Sequence, residues 1–377
     1  MKKVILIPDS FKGTMDSATI CGIMEKQIKT QYPYLETVSI PVADGGEGSV
    51  DAFLTAVGGV KKALTVSGPF FKPVNSFYGI INDSTAIIEM AACAGLPLAG
   101  DRLDPAAATT YGVGELILDA AKSGCKKIII GLGGSCTNDA GAGMAAAFGV
   151  KFYDEKNLEF IPTGLTLSKI RHIRNDQVSD LLSGIEFAAM CDIDNPLYGP
   201  TGAAYVFGPQ KGADASMVAT LDEGLQNIAQ IIQKDLGKDV TNIPGSGAAG
   251  GLGAGMAAFL NAKMQPGIDI VLDTVRFDEL LKDADLVFTG EGKIDTQSLR
   301  GKVVIGVARR AKKAAVPVIA VVGDIGDNIE KAYDMGVSAI FSINRVAVPF
   351  KEAKLRSRSD LSLTISDIIR LFKTVNF

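Results

Sequence analysis

Short apolar runs recur along the chain, and most of them end in a glycine-rich or acidic turn that leads into a helical pattern. Buried strands produce such runs, and apolar residues spaced three and four apart indicate helices. The order strand, turn, helix predicts βα units, which assemble into parallel sheets. The predicted strands of this kind are residues 4–7, 37–42, 128–130, 187–190, 285–289, 316–322 and 338–343.

Residues 61–91 have a different pattern, in which short alternating runs are separated by Gly, Pro, Asn and Asp. This pattern is typical of antiparallel strands. The βα units at the two chain ends resemble each other more than they resemble the middle. We therefore expect an α/β protein in which residues 1–62 and 278–377 form one parallel-sheet domain. Residues 63–277 would form an inserted mixed α/β domain, with the active site in the cleft between the two.

The composition is that of an ordinary globular protein, with 377 residues of which 47% are apolar and 21% are charged. The net charge of −4 and the dispersed lysines and arginines argue against nucleic acid as a partner. No apolar run is long enough for a signal-peptide core or a membrane span, and the five cysteines form no paired motif. We expect a cytoplasmic protein without a membrane partner. The single histidine leaves acid–base chemistry to carboxylates, lysines and hydroxyls.

A glycine-rich loop follows the predicted strand at 128–130 and precedes an alanine-rich helical segment. Its glycines leave no side chain between backbone and ligand, and its other residues supply hydroxyl and amide groups. Asn138 or Asp139 would cap the following helix, whose N-terminus attracts anions. The loop therefore predicts an anion site, although its glycines are also explained by a tight turn that only permits close packing. The candidate binding residues are Gly133, Gly134, Ser135, Thr137 and Asn138.

Charged and polar residues also gather in turns beyond four of the predicted strands. The carboxyl ends of parallel strands form the ligand crevice of such sheets, where carboxylates suit Mg²⁺ and lysines suit an anion. For Asp44 and Glu47 the alternative is helix capping, which favours Asp and Glu at helix starts. The turn residues are Ser10 and Lys12; Asp44, Gly45, Gly46 and Glu47; Asp192, Asp194 and Asn195; and Glu291, Lys293, Asp295 and Lys302.

Two common nucleotide-binding motifs are not supported. Residues 245–250 read GSGAAG and match the glycine spacing of the dinucleotide fingerprint, but residues 238–244 do not form the apolar strand that this fingerprint requires. We interpret the segment as a glycine-lined turn that opens a tightly packed helix. The chain also contains no GxxxxGK[ST] sequence, which excludes the P-loop mode of binding ATP.

Seven blocks of the sequence are distinctive when they are taken together and in order. They are DSFKGT, PVADGGEGS, GLGGSCTNDAGAGM, CDIDNPLYG, FGPQKGA, GSGAAGGLGAG and FTGEGKIDTQSLRGK. They span nearly the whole chain and closely resemble the bacterial glycerate kinases of type 1. The resemblance implies ATP-dependent phosphorylation of D-glycerate with Mg²⁺, and it favours the 2-hydroxyl as acceptor. It also implies a Rossmann- or flavodoxin-like domain with a distinct inserted domain.

Phosphoryl transfer requires an anion cradle, metal ligands that neutralise charge, and a cation near the transferring group. We assign catalysis to Lys12, Asp44, Asp192 and Glu291. We assign substrate or nucleotide binding to Ser10, Gly45, Gly46, Gly133, Gly134, Ser135, Thr137, Asn138, Asn195, Lys293 and Lys302. We assign metal binding to Glu47, Asp194 and Asp295. The alternatives are a kinase for another small hydroxy acid and a non-catalytic protein that binds small anions.

Overall fold

The strands fall into two main sheets and two small ones among the residues that the structure describes. The structure is a computed structural model and describes residues 1–43 and 45–374. The strands are β1 Lys3–Pro8, β2 Glu36–Ser39, β3 Val60–Ser67, β4 Pro73–Ile81, β5 Thr85–Glu89, β6 Lys127–Gly131, β7 Lys151–Tyr153, β8 Glu159–Phe160, β9 His172–Arg174, β10 Glu186–Met190, β11 Lys263–Gln265, β12 Leu286–Gly290, β13 Lys293–Ile294, β14 Val318–Val322, β15 Asp324–Ile325 and β16 Ala339–Ser342.

Helices connect most of these strands. Within the described part of the chain, none of them is both long and apolar enough to span a bilayer. The helices are α1 Ser17–Gln31, α2 Ser49–Val57, α3 Ala91–Ala94, α4 Leu96–Ala99, α5 Tyr111–Lys122, α6 Ala142–Ala147, α7 Ala203–Phe207, α8 Ala215–Leu236, α9 Ala248–Leu260, α10 Gly267–Thr274, α11 Phe277–Leu280, α12 Val303–Lys313, α13 Lys331–Asp334 and α14 Phe350–Thr374.

The two ends of the chain form one compact unit, here called the terminal unit, which comprises residues 1–43, 55–57 and 266–374. Its sheet has the order β16-β14-β12-β1-β2, and all neighbouring strands are parallel. β1 lies between β2 and β12, in a register that sets Pro8 opposite Gly290. A parallel sheet built from both chain ends is therefore present, which confirms the predicted fold class.

Helices α1 and α14 pack against each other and share a core with one face of this sheet. α1 begins after Asp16, whose carboxylate accepts the N–H of Thr19 at 2.6 Å and caps the helix. Leu361, Ile365 and Ile368 of α14 are buried at the spacing of one helix face. The sequence pattern did not predict α14, because the first half of this helix is dominated by charged and polar residues.

Residues 45–54 and 58–265 form a second compact unit, here called the inserted unit. Its main sheet has the order β11-β10-β6-β5-β4-β3. The strands from β11 to β5 are parallel neighbours, whereas β5, β4 and β3 form an antiparallel meander. The antiparallel strands predicted for residues 61–91 are thus present, and they extend a parallel sheet into a mixed one.

Apart from residues 55–57, the chain passes from the terminal unit into the inserted unit after residue 43 and returns after residue 265. The sequence pattern placed these domain boundaries at 62 and 277. β3 pairs along its whole length with β4, with Val60 opposite Ile80, which fixes β3 in the inserted unit. α10 packs on α12 in the terminal unit. The two helices are so close that a Cβ on Gly306 would lie only 2.7 Å from Ile268 Cγ2. Strand pairing sets the first boundary and helix packing sets the second. Both interactions join residues that are distant in sequence, so a local pattern of apolar and polar residues does not predict them.

Candidate active site

Two strands from opposite ends of the chain end side by side in the terminal unit. The backbone N–H of Asp9, just beyond β1, donates to Gly290 O at the end of β12, at 2.8 Å. The loop after β12 begins with Glu291, and a Cβ on Gly292 would lie 3.4 Å from Lys12 N in the turn after β1. The structure therefore brings Lys12 and Glu291 to the same edge of one sheet.

Glu291 is a buried carboxylate, with only 5% of its surface exposed. Its Oε1 has no hydrogen-bond partner among the described residues. Burial raises the pKa of this carboxyl to about 7, because the charged form is desolvated. A hydrogen bond from Ser298 and the charge of Lys302 oppose this rise, while the charges of Asp9 and Asp295 add to it. A buried group whose pKa lies near neutrality is a candidate for acid–base chemistry.

Two further lysines that were predicted to bind ligand lie in the terminal unit and are held only by weak contacts. Lys293 Nζ is 3.3 Å from Asp324 Oδ2, and both side chains are about half exposed. Lys302 occupies the N-cap position of α12, and its Nζ is 3.5 Å from Gln297 Oε1. Exposed contacts of this kind contribute little to stability, so either lysine can turn to a ligand at small cost. A cavity of about 330 Å³ in this unit is lined by Lys12 and Asp324 among others.

Ser10 and Asp295 have local structural contacts in the same unit. The backbone N–H of Ser10 donates to Asp9 Oδ1 at 2.6 Å. Asp295 Oδ1 accepts the backbone N–H groups of Gln297 at 2.8 Å and of Ser298 at 3.3 Å. Asp295 therefore stabilises its own turn.

In the inserted unit, the two glycine pairs of the sequence lie against each other. The N–H of Gly133 donates to Gly45 O at 3.0 Å. A Cβ on Gly131 would lie 2.2 Å from Gly45 O, and one on Gly133 would lie 2.6 Å from Gly46 Cα. Gly134 has a φ of +75°, which L-residues with side chains rarely adopt. Close contact between two backbone segments, the alternative left open by the sequence, explains Gly131 and Gly133.

The GSGAAG segment also packs on the loop after β6. Ala140 N donates to Gly250 O at 3.0 Å, and Thr137 Oγ1 donates to Ala249 O at 3.4 Å. A Cβ on Gly250 would lie 1.9 Å from Thr137 O. This glycine is therefore required for contact between protein backbones, which agrees with the rejection of the dinucleotide fingerprint.

The polar residues at the end of this loop are completely buried. Asp139 accepts hydrogen bonds from Thr110 N at 2.7 Å and Thr110 Oγ1 at 2.9 Å, and from the N–H groups of Gly141 and Gly143 at 3.1 and 3.2 Å. Burial raises its pKa, although these hydrogen bonds stabilise the charged form. Asp139 thus ties the loop to the start of α6, but the N-cap residue of α6 is Gly141, so the prediction that Asn138 or Asp139 occupies this position is wrong. Asn138 is equally buried, and neither polar atom of its side chain has a partner among the described residues.

Lys211 is a functional candidate that sequence reasoning missed. It is 2% exposed, and its Nζ donates to Ser135 Oγ at 2.8 Å and to Thr137 O at 2.7 Å. Burial lowers the pKa of this lysine to about 8, while the nearby Cys136 and Asp139 act in the opposite direction. The signal available in the sequence was a lysine between glycines in the FGPQKGA block, which contributed only to the family resemblance.

A cavity of about 220 Å³ opens beside this lysine, inside the inserted unit. Four of the seven sequence blocks contribute to its wall. The lining residues are Leu96, Leu132, Gly133, Gly134, Ser135, Met190, Cys191, Asp192, Ile193, Phe207, Gln210, Lys211, Ala248 and Ala249.

The acidic turn after β10 contributes differently from residue to residue. Asp192 lines the cavity and is largely exposed, as is Asp194. Asn195 Nδ2 donates to Thr201 O at 2.8 Å and so holds the turn in shape. Of the three residues predicted here, Asp192 is therefore the one whose position in the cavity favours contact with a ligand.

The predicted metal ligands do not form a preassembled site within the described residues. No group of three or more His, Cys, Asp or Glu side chains in residues 1–43 and 45–374 is arranged to hold a metal ion. Glu47 and Asp194 are exposed in the inserted unit, and Asp295 belongs to the terminal unit. Asp44, which was predicted to be catalytic, lies outside the described residues.

Comparisons with known proteins identify the family of the chain. A profile of the glycerate kinase family matches residues 4–373. The chain is 43% identical to glycerate kinase of Bacillus cereus, over 98% of each chain, and 43% identical to glycerate 2-kinase of Escherichia coli (strain K12), over 90% of each. A crystal structure assigned to glycerate kinase 2 of Salmonella typhimurium LT2 is similar, with a TM-score of 0.88 and 38% identity over 100% of this chain and 99% of that one. The chain therefore belongs to the glycerate kinase family.

Proposed function

We propose that this kinase transfers the γ-phosphoryl group of ATP to the 2-hydroxyl group of D-glycerate. The observation that carries the proposal is Glu291, a buried carboxylate at the edge of a parallel sheet, with one oxygen unpartnered among the described residues. An oxygen in this position is suited to accept the proton of the acceptor hydroxyl. The name of the E. coli relative, glycerate 2-kinase, supports the 2-hydroxyl group. We place the reaction in the cytoplasm, which the five unpaired cysteines support.

The position and pKa of Glu291 suit a general base. With a pKa of about 7, the carboxyl is partly ionised at neutral pH and still basic enough to take a proton in the transition state. Lys12, at the adjoining strand end, supplies positive charge, which we assign to the transferring phosphoryl group. Asp44 and Asp192 stay assigned to catalysis on the sequence argument.

We assign Mg²⁺ to Glu47, Asp194 and Asp295 on the sequence argument, because carboxylate oxygens are the hard donors that this ion prefers, and these side chains do not form a preassembled site among the described residues. Two backbone N–H groups already hold one oxygen of Asp295 in a fixed position. When bound, the ion neutralises charge on the phosphate groups. The chain's own residues then have to bind glycerate, orient its hydroxyl and exclude water.

Product analysis tests the proposal. The purified protein is incubated with ATP, Mg²⁺ and a panel of short hydroxy acids, and ADP release is followed. We expect the fastest turnover with D-glycerate. Enolase then identifies the product, because it consumes 2-phosphoglycerate directly but 3-phosphoglycerate only after a mutase has acted. We expect phosphoenolpyruvate with enolase alone.

Each alternative has a distinct result in the same experiment. Phosphoenolpyruvate that appears only after a mutase is added would overturn the 2-hydroxyl assignment. Faster turnover of another acid would indicate a kinase for that acid, and glycerate binding without ADP release would indicate an anion-binding protein. Full activity in excess EDTA would contradict the requirement for Mg²⁺.

A further inference from the structure

The described residues supply no carboxylate that pairs directly with Lys211. Its ammonium group has three N–H donors, of which Ser135 Oγ and Thr137 O accept two. Among the described residues, no carboxylate lies within 4.0 Å of Nζ. Asp139, whose charge acts on this lysine, is occupied by four hydrogen bonds from Thr110, Gly141 and Gly143. A buried cation without a counter-ion is costly, so its retention here calls for a ligand that supplies negative charge.

The cavity beside Lys211 is small and partly apolar. Its volume of about 220 Å³ is below the roughly 300–1,000 Å³ of sites for drug-sized ligands. Leu96, Leu132 and Phe207 make part of the wall apolar, which strengthens any ion pair formed inside. A short carboxylic acid fits into this cavity and supplies the negative charge.

We propose that Lys211 and Ser135 bind the carboxylate group of the substrate and select short carboxylic acids over neutral polyols. Lys211 donates to Ser135 Oγ, so the hydroxyl proton of Ser135 is free to donate to the second carboxylate oxygen. The proposal rests on the proposed function, because it takes D-glycerate as the substrate. It assigns the specificity for an acid to a residue outside the predicted site.

The variant Lys211→Met tests the proposal, because it removes the charge and keeps the apolar stem. We expect KM for D-glycerate to rise about 10- to 100-fold with little change in kcat, the result of losing one hydrogen bond to a charged group that contributes to ground-state binding. KM for D-glyceramide, in which a neutral amide replaces the carboxylate, should stay near its wild-type value. The ratio of kcat/KM for the two substrates should therefore fall by about the same 10- to 100-fold.

Lys238→Met is the matched control. Lys238 is also a partly buried lysine of the inserted unit, and its Nζ donates to Ala258 O and Asn261 Oδ1, but it does not line the cavity. This variant should keep the wild-type substrate ratio. If Lys211→Met slows both substrates equally, or leaves the ratio unchanged, the lysine only supports the loop and the proposal is overturned.

Two further measurements keep the test decisive. Ser135→Ala replaces the hydroxyl alone and should raise KM for D-glycerate by a smaller factor than Lys211→Met, which provides an answer if the lysine variant does not fold. Calorimetric titration of D-glycerate, with and without a non-hydrolysable ATP analogue, separates this proposal from the proposed function. Binding that depends on Lys211 supports the carboxylate site even if no phosphoryl transfer occurs, and absence of binding in both conditions overturns it.

Discussion

The strand ends of the terminal unit and of the inserted unit are built on different principles. Beyond β1 and β12, charged side chains such as Lys12 and Glu291 occupy the edge of the sheet. Beyond β6, the edge is formed by backbone segments in direct contact, and Lys211 and Asp139 are buried charges beside them. Reactive side chains can be recognised in a sequence from their residue type. A glycine indicates only that another group lies close to the backbone, and here that group is mostly another segment of the chain.

Burial shifts the pKa of one ionisable group in each region toward 7, upward for the carboxyl and downward for the lysine. The pKa of Glu291 rises to about 7, and that of Lys211 falls to about 8. Desolvation is the main cause in both, since it disfavours whichever form is charged. For Glu291 this provides a base that can accept a proton, while for Lys211 it leaves a cation that gains from an anionic ligand.

The largest expected effect comes from removing the carboxylate of the terminal unit. Glu291→Gln should lower kcat and kcat/KM together by about 10²–10³, because a base acts only in the transition state. Steady-state kinetics with D-glycerate measures it. Asp283→Asn is the matched control, since this largely exposed carboxylate precedes β12 at the other end of the strand. Near-wild-type kinetics for Glu291→Gln would show that the reaction does not take place at this edge of the sheet. Recovery of activity at high Mg²⁺ would indicate that Glu291 is a metal ligand.

The next effect tests whether backbone contact holds the inserted-unit edge together. Gly133→Ala places a Cβ 2.6 Å from Gly46 Cα, and backbone cannot move aside as a flexible side chain can. We expect a loss of about 2–3 kcal/mol of unfolding free energy in urea titrations. Gly134→Ala is the comparison, because its Cβ would meet only Ala91 Cβ at 3.2 Å and the cost is mainly left-handed strain of about 1 kcal/mol. Equal losses would show that backbone strain, and not the contact, decides the stability.

The third prediction uses the pH dependence of the buried lysine. If Lys211 binds the substrate carboxylate, glycerate affinity should be constant below about pH 8 and weaken up to tenfold per pH unit above it, because the lysine loses its charge. The other ionisable groups near it are Cys136 and Asp139, and Asp192 lines the same cavity. Calorimetry across this range measures the effect. Lys211→Arg should abolish the dependence, and persistence of the same profile in that variant would assign it to another group.

The smallest effect concerns stability. The pKa of Glu291 is raised in the folded state. Its contribution to the free energy of unfolding is therefore complete below about pH 4.5 and is lost as the pH rises through 7. Glu291→Gln cannot ionise and should raise Tm by about 2–4 °C at pH 8, where the wild-type carboxylate is charged and buried, with little change at pH 4.5, where both side chains are neutral. Thermal unfolding at both pH values checks this. A lower Tm at pH 8 would mean that Ser298 and Lys302 stabilise the charged carboxylate by more than its burial costs.

The fold class and the candidate chemistry of the charged turns could be predicted from the sequence, because strand periodicity and residue type are local properties. Lys12 and Glu291 were placed on one sheet because their strands were recognisable separately. Lys211 was missed because its environment arises from the packing of the 135–137 loop, which lies far from it in the chain. The ambiguity of Gly133 was of the same kind, since its partner at Gly46 belongs to another turn.

The central position of β1 also determines how the protein is made. This apolar strand leaves the ribosome long before its neighbour β12, which begins only at Leu286. At synthesis rates of about 5–20 residues per second, the nascent chain waits about 15–60 s for that neighbour. The strands of the inserted unit's main sheet all emerge earlier, so that sheet can form on the ribosome. Until β12 arrives, one edge of β1 is open to aggregation, and we expect chaperones to cover it.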